Sequence, residues 1–229
     1  ELRFNYMSDR LKLVTGIYFL DEDHESDVSI NIAGGGASRN FDTTNDTTAY
    51  AFFGQGTYGV TEKLNTTIGL RYSKEEKKFS NENVNINLPI PNFKINPKES
   101  WDAWSPKIAV DYTFDDGPML YSSVSRGFKS GGFNLTSSDP EFDPEFVVSY
   151  EAGVKQDWLK NTLRTNFAMF YYDYTDLQVS DFTTAGVLSI TNAADAEIQG
   201  VEIETSWMPS YDWMIEFNYA FLDATYKEY

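Results

Sequence analysis

The sequence contains no cysteine, only one histidine and no long run of apolar residues. The absence of cysteine argues against thiol catalysis and cysteine-ligated metal sites. A transmembrane helix requires roughly 18 uninterrupted apolar residues, and no segment approaches that length. If the chain crosses a membrane, it does so without a helix.

Basic residues are also scarce. Lys and Arg total 18 against 35 Asp and Glu, which gives a net charge of −17. This balance argues against nucleic acid as a partner, because a phosphate backbone binds to basic surfaces. No signal-peptide pattern is recognised and Glu1 lies inside an expected strand, so we expect both termini to be cut within a longer exported protein.

Aromatic residues, by contrast, are abundant at 16%, whereas the apolar fraction of 41% is ordinary. A membrane β-barrel uses Tyr, Phe and Trp in girdles at its two interfaces with water. A soluble β-sandwich uses them in cross-strand pairs inside its core. Composition alone leaves both alternatives open.

Short turns alternate with long polar connections along the chain. The expected turns are Ser8–Arg10, Val60–Lys63, Phe114–Pro118, Trp158–Asn161 and Pro209–Asp212. The expected long connections are Asp21–Asp46, Phe79–Pro97, Phe133–Pro144 and Gln178–Asn192. Short turns on one side and long loops on the other are typical of up-and-down barrels of the outer membrane.

Between these connections, apolar and polar residues alternate with the period of a strand, as in Leu64–Lys74, Trp104–Phe114 and Phe146–Trp158. The second face carries charges at regular intervals, namely Arg71, Lys107, Asp111, Glu151, Lys155, Glu202, Glu204 and Glu216. The sequence therefore predicts an all-β fold, an antiparallel up-and-down transmembrane β-barrel with a wet lumen. About ten strands of a larger barrel are expected, and a phase change at Gly200 predicts a β-bulge.

Several segments of the chain carry distinctive motifs in a particular order. Two are Tyr121–Asn134, which contains Arg-Gly-Phe-Lys-Ser-Gly-Gly-Phe-Asn, and Phe142–Lys155, which contains Tyr-Glu-Ala-Gly. The others are Phe170–Val179, Asn192–Glu204, the Gly-Leu-Arg-Tyr strand in Leu64–Lys77, and Glu1–Phe4. In their order and spacing, these segments resemble the barrel of TonB-dependent outer-membrane receptors, and the resemblance covers nearly the whole chain.

This resemblance implies a bacterial outer-membrane receptor without enzymatic activity or cofactor. It implies uptake of a scarce, bulky small-molecule ligand, such as an iron–siderophore complex, through a plugged barrel of about 22 strands. The partners implied are outer-membrane lipid, lipopolysaccharide and the TonB complex. Residues 1–229 contain neither a recognisable plug domain nor the C-terminal strands. A passive porin and a soluble β-sandwich that binds a partner are the alternatives.

The candidate ligand-binding residues are cationic and aromatic. Arg126 and Lys129 are expected to contact an anionic ligand or the plug, or else lipopolysaccharide or a carboxylate of the wall. The aromatic candidates are two expected pairs at the outer rim, Trp101 with Trp104 and Tyr172 with Tyr174.

The acidic segment Asp21–Asp27 contains the histidine and matches no EF-hand spacing. It is interpreted as a solvated loop, with a cation or ligand contact as the alternative. No metal site and no catalytic residue is predicted.

Overall fold

The computed structural model describes residues 1–32, 34, 36–115, 117–138, 140–182 and 188–228. Its strands up to the middle of the chain are β1 (Leu2–Met7), β2 (Leu11–Ile32), β3 (Ala37–Gly59), β4 (Leu64–Ile86), β5 (Phe93–Ile95), β6 (Lys98–Thr113) and β7 (Met119–Lys129). They are followed by β8 (Gly132–Phe133), β9 (Glu141–Phe142), β10 (Glu145–Trp158), β11 (Leu163–Phe182), β12 (Leu188–Ser210) and β13 (Trp213–Glu228).

Ten of these strands form one antiparallel sheet in the order β1-β2-β3-β4-β6-β7-β10-β11-β12-β13, and β5 pairs with β4. Strands β8 and β9 form a separate small hairpin. Each main strand pairs with the next along the chain, so the predicted up-and-down arrangement is confirmed. The sheet is open between β1 and β13, as expected for part of a larger barrel. No helix among the described residues is long and apolar enough to cross a membrane.

One face of the sheet, the outer face, presents apolar side chains to the surroundings. Backbone pairing places Ile68, Ile108, Val124 and Tyr150 in one row across four strands, and all four are exposed. Towards the end that carries the long connections (the upper end), the row is aromatic, with the Tyr72 and Trp104 rings 5.0 Å apart. An apolar band bordered by aromatics is the lipid-facing surface of a membrane barrel, as predicted.

The five predicted short turns are confirmed, except that Asp116 in Phe114–Pro118 lies outside the described residues. Three of the four long connections are shorter than predicted, whereas the one predicted at Phe133–Pro144 extends over 130–144. Strands β2 and β3 remain paired without interruption from Asp21↔Thr48 to Ile32↔Ala37, so Asp21–Asp46 is mostly strand. Likewise β4 continues to Ile86, β11 to Phe182, and β12 begins at Leu188; residues 183–187 lie outside the described part. Above the membrane, backbone hydrogen bonds still hold a ladder while polar side chains meet water.

The predicted bulge at Gly200 is wrong. Gly200 pairs with Phe170 and Leu222 in continuous register. The irregularity lies higher in β11, near Asp176, whose φ is 55°. Gly200 instead leaves room for the Phe170 ring, which would lie 2.6 Å from an added Cβ. The apolar pattern changes phase because the two parts of β12 bury different faces. After Gly200 the apolar residues Val201 and Ile203 lie on the lipid-facing outer face, whereas before it Ala194 and Ala196 lie on the covered inner face.

The buried core lies on the inner face near the upper end, not between two sheets. Its members on β3, β4, β6 and β12 are Phe41, Ala49, Ala51, Phe79, Asn81, Asn83, Trp101, Ala103, Ala194 and Ala196. Three of them, Phe79, Asn81 and Trp101, contact the segment that connects β7 to β10. This one-sided core differs from the double-layered core of a β-sandwich.

Candidate functional site on the inner face

Residues 130–138 and 140–144, here called the strap, lie between β7 and β10 in the chain and against the inner face of the sheet. The Phe133 ring stacks on Phe79 at 5.4 Å and lies 5.8 Å from the Trp101 ring. Gly131 lies so close to this surface that an added Cβ would be 2.6 Å from Trp101. The two glycines Gly131 and Gly132 therefore allow the backbone to pack directly on aromatic rings.

Polar groups attach the start of the strap to β4. The Lys77 ammonium donates hydrogen bonds to Ser130 Oγ at 3.1 Å and to the Gly131 carbonyl at 2.8 Å. It also pairs with the Glu75 carboxylate at 2.9 Å, which accepts a hydrogen bond from Ser130 at 2.5 Å. Because both charges are partly buried and share these partners, this cluster fixes the position of Ser130 and Gly131.

Further up, the tip of the strap rests on side chains of β3 and β4. The amide of Asn81 donates to the Leu135 carbonyl at 2.6 Å, and Arg39 donates to the Thr136 carbonyl at 3.4 Å. Burial lowers the pKa of Arg39 below its usual value, but a guanidinium remains charged. Its other contacts are the Asn85 side chain at 3.1 Å and the Phe41 ring at 5.0 Å.

The opposite side of the strap is attached to β11 and β12. Asn134 pairs with the backbone of Ile190 through two hydrogen bonds of 2.7 Å, one in each direction. Asn192 makes a similar pair with the backbone of Asp143, and Gln178 donates to the Ser130 and Asp143 carbonyls. Three strands, β6, β7 and β10, lie between the two attachment points, so the strap crosses the inner side of the wall.

The structure places Trp101 and Trp104 on opposite faces, so the expected pair does not form. Trp101 is 8% exposed and lies under the strap, whereas Trp104 is 53% exposed on the outer face beside Tyr72. Residues three apart in a strand point to opposite sides. Only Trp101 therefore faces the interior.

Arg126 and Lys129 are divided in the same way. Arg126 lies on the outer face, 4.1 Å from the Phe146 ring centroid. Lys129 lies on the inner face, where its ammonium is 3.6 Å from the Glu145 carboxylate and its side chain is 62% exposed. The structure thus gives Lys129 a carboxylate partner in the wall and gives Arg126 a position facing away from the lumen.

Tyr172 and Tyr174 share the inner face, as an i, i+2 pair must. The Tyr172 ring stacks on Phe170 at 4.8 Å. Beneath them lie three inner-face carboxylates, Glu151, Glu202 and Glu204. Tyr121 donates to Glu151 at 2.7 Å, and Asn166 donates to Glu204 at 3.1 Å.

The acidic segment Asp21–Asp27 forms part of β2, so its side chains alternate between the two faces. The single histidine, His24, is exposed and shares a face with Glu22 rather than with Asp21, Asp23 or Glu25. Within the described ranges, no group of three or more His, Cys, Asp or Glu is arranged to hold a metal ion.

Arg39, Asn81 and Asn83 are not among the predicted site residues, because they lie in segments that were expected to be loops. A pattern in the sequence does mark the β4 residues. Phe79, Asn81, Asn83 and Asn85 recur with period two, which places them on one face of a strand. Their alternation with Ser80, Glu82 and Val84 indicates a strand. The covered face of this strand is the one that carries Phe79 and the asparagines.

Comparisons with known proteins agree with this architecture. The family model described as TonB dependent receptor-like, beta-barrel matches residues 1–229. The ferric yersiniabactin uptake receptor FyuA from Yersinia pestis superposes with a TM-score of 0.81 at 20% identity, over 97% of this chain and 34% of that one. At this identity the superposition supports the fold alone.

Curated relatives are similar over part of the chain. The pesticin receptor of Yersinia enterocolitica is 24% identical over 168 residues, which is 71% of this chain and 24% of that protein. The metal-pseudopaline receptor CntO of Pseudomonas aeruginosa is 30% identical over 123 residues, or 53% of this chain and 17% of that protein. The matched part is thus about a quarter or less of the length of these relatives.

Proposed function

Because this chain belongs to the family of TonB-dependent receptor-like β-barrels, we propose that the full protein captures a metal–chelate complex and imports it with energy supplied through TonB. Proteins of this family are outer-membrane receptors, and the apolar outer face agrees with that location. The match over residues 1–229 carries the proposal.

The geometry of the inner face supports a receptor rather than a plain pore wall. The strap is attached to β4 on one side and to β12 on the other, so it occupies part of the space on the inner side of the wall. It also gives the upper lumen a fixed shape, and selective sites depend on such preorganised polar groups. A passive porin remains the alternative, in which the same strap only restricts the size of the solute.

The names of relatives point to the ligand class. CntO is named a metal-pseudopaline receptor, and FyuA a ferric yersiniabactin uptake receptor. Both names describe a metal ion held by an organic chelator. A ligand of this kind is larger than a free ion and carries polar donor atoms, which suits a lumen lined by charged and aromatic side chains.

Roles for the candidate residues follow from their faces. Lys129, Tyr172 and Tyr174 lie on the inner side, so we assign them to the surroundings of the ligand. Trp101 also lies on the inner side but is covered by the strap, so we assign it to the support of the strap. Arg126 and Trp104 point outwards, where Trp104 suits the lipid interface and Arg126 suits an anionic group of lipopolysaccharide. We further propose that a plug domain, through which TonB acts, and additional C-terminal strands complete the protein.

The test is uptake by whole cells. The full gene is deleted and then restored on a plasmid, and accumulation of ⁵⁵Fe, ⁶⁵Zn and ⁶⁴Cu is measured with a panel of chelators under metal limitation. At least one metal–chelator pair should depend on the gene. Equal accumulation of every pair with and without the gene would exclude the proposed function.

A further inference from the structure

A recess of about 490 Å³ opens on the inner face below the start of the strap. Its polar lining includes Tyr18, Arg71, Ser73, Lys129 and Ser130. Arg71 is the central group, because it projects from β4 between the β2–β3 hairpin and the strap. The recess is separate from the acidic patch formed by Glu151, Glu202 and Glu204.

The guanidinium of Arg71 is oriented but only partly used. Its Nε donates to Ser73 Oγ at 2.9 Å, and its Cζ lies 5.6 Å from the Tyr18 ring and 5.7 Å from the Phe53 ring. Within the part of the chain that the structure describes, the two Nη atoms have no hydrogen-bond or ion-pair partner. Two parallel N–H donors therefore remain available to an incoming group.

The carboxylates near Arg71 are engaged elsewhere. Glu75 lines the same recess, but it pairs with Lys77 and accepts from Ser130. Glu1 pairs with Arg3. The ammonium of Lys129 adds a second positive charge at the edge of the recess, only 3.6 Å from Glu145 but mostly exposed. Glu145 thus pairs with Lys129, whereas Arg71 has no direct ion-pair partner among the described side chains.

We propose that this recess binds a carboxylate group of the ligand, with Arg71 as its bidentate donor and Lys129 as a second cation. A planar guanidinium matches a carboxylate with two parallel hydrogen bonds. A phosphate can accept the same two parallel hydrogen bonds, so the test below compares the two anions. This proposal rests on the proposed function, because it places the carboxylate on a ligand inside the barrel.

The test is isothermal titration of the purified full-length receptor in detergent. The probes are citrate and its ferric complex, with the neutral trimethyl ester of citrate and inorganic phosphate for comparison. The variants are Arg71→Gln, Arg71→Lys and a matched control, Lys107→Gln, which removes another inner-face cation outside the recess.

The expected result is binding of a carboxylate probe that weakens about tenfold or more in Arg71→Gln, equivalent to about 1.4 kcal/mol. Arg71→Lys should weaken it less, and Lys107→Gln should leave it unchanged. The proposal is overturned if the wild type binds no carboxylate probe, if phosphate or the ester binds as tightly, or if Lys107→Gln weakens binding as much as Arg71→Gln. Gene-dependent uptake with any of these results would leave the receptor function intact and remove only this site.

Discussion

The side-chain amide of Asn81, which is 0% exposed, donates a hydrogen bond of 2.6 Å to the backbone carbonyl of Leu135. This contact joins the wall to the tip of the strap, 54 residues later in the chain. The buried amide nitrogen has this carbonyl as its acceptor, and an unpaired buried donor costs about 1–3 kcal/mol. The position of the strap is therefore determined by the wall.

Replacing Asn81 with Ala should loosen the tip of the strap. The variant removes the donor to Leu135 and leaves that carbonyl unpaired, so local stability should fall by about 1–3 kcal/mol. Hydrogen exchange of the full-length receptor should become faster within residues 130–144. Asn31→Ala is the matched control, since Asn31 is exposed at the upper end of β2. Equal acceleration in both variants, or none in Asn81→Ala, would contradict the role of Asn81.

Two substitutions of Asn134 should have different effects on the amide of Ile190. Asn134 accepts from the Ile190 N–H and donates to its carbonyl, both at 2.7 Å. Asn134→Ala removes both bonds, whereas Asn134→Asp keeps an acceptor for the N–H. Exchange of the Ile190 amide should therefore be fast in the Ala variant and still slow in the Asp variant. The same rate in both would mean that the side chain of Asn134 does not protect this amide.

Gly131→Ala should displace the strap from the aromatic surface. An added Cβ would lie 2.6 Å from the Trp101 ring, which is too close for any real contact. Overpacking of this kind costs about 1–3 kcal/mol. Gly36→Ala is the control, because an added Cβ there meets nothing within 4 Å. The temperature at which the folded barrel changes to the migration of the unfolded chain on gels should be lower for Gly131→Ala than for the wild type, and unchanged for Gly36→Ala. An equal decrease in both variants would argue against close packing at Gly131.

Brominated lipid should distinguish the two tryptophans of β6. Trp104 is exposed on the outer face, whereas Trp101 is covered by the strap. In reconstituted receptor, Trp104→Phe should reduce the fraction of fluorescence that brominated lipid quenches, and Trp101→Phe should not. The opposite result would reverse the assignment of the two faces.

The sequence predicted the faces of the membrane-spanning strands well, because lipid on one side imposes strict alternation, as in Ile68, Leu70 and Tyr72. It did not predict how far the strands continue. In β2, the side chains of Asp21–Glu25 and Asp27 are exposed on both faces, so this segment has the composition of a loop while its backbone remains paired with β3.

The site was less predictable for a different reason. The separation of Trp101 from Trp104 follows from strand parity and was available from the sequence. The pairing of Asn134 with Ile190 joins residues 56 positions apart, and no local pattern specifies it. The prediction of a bulge at Gly200 was wrong because the ring for which this glycine leaves room, that of Phe170, lies on the neighbouring strand.

The measurement that tests the central claim most directly is the initial rate of gene-dependent metal–chelate uptake in cells with and without TonB. The account predicts that deletion of TonB reduces this rate to the level of cells that lack the receptor gene. Unchanged gene-dependent uptake in the absence of TonB would contradict it and identify the protein as a passive channel.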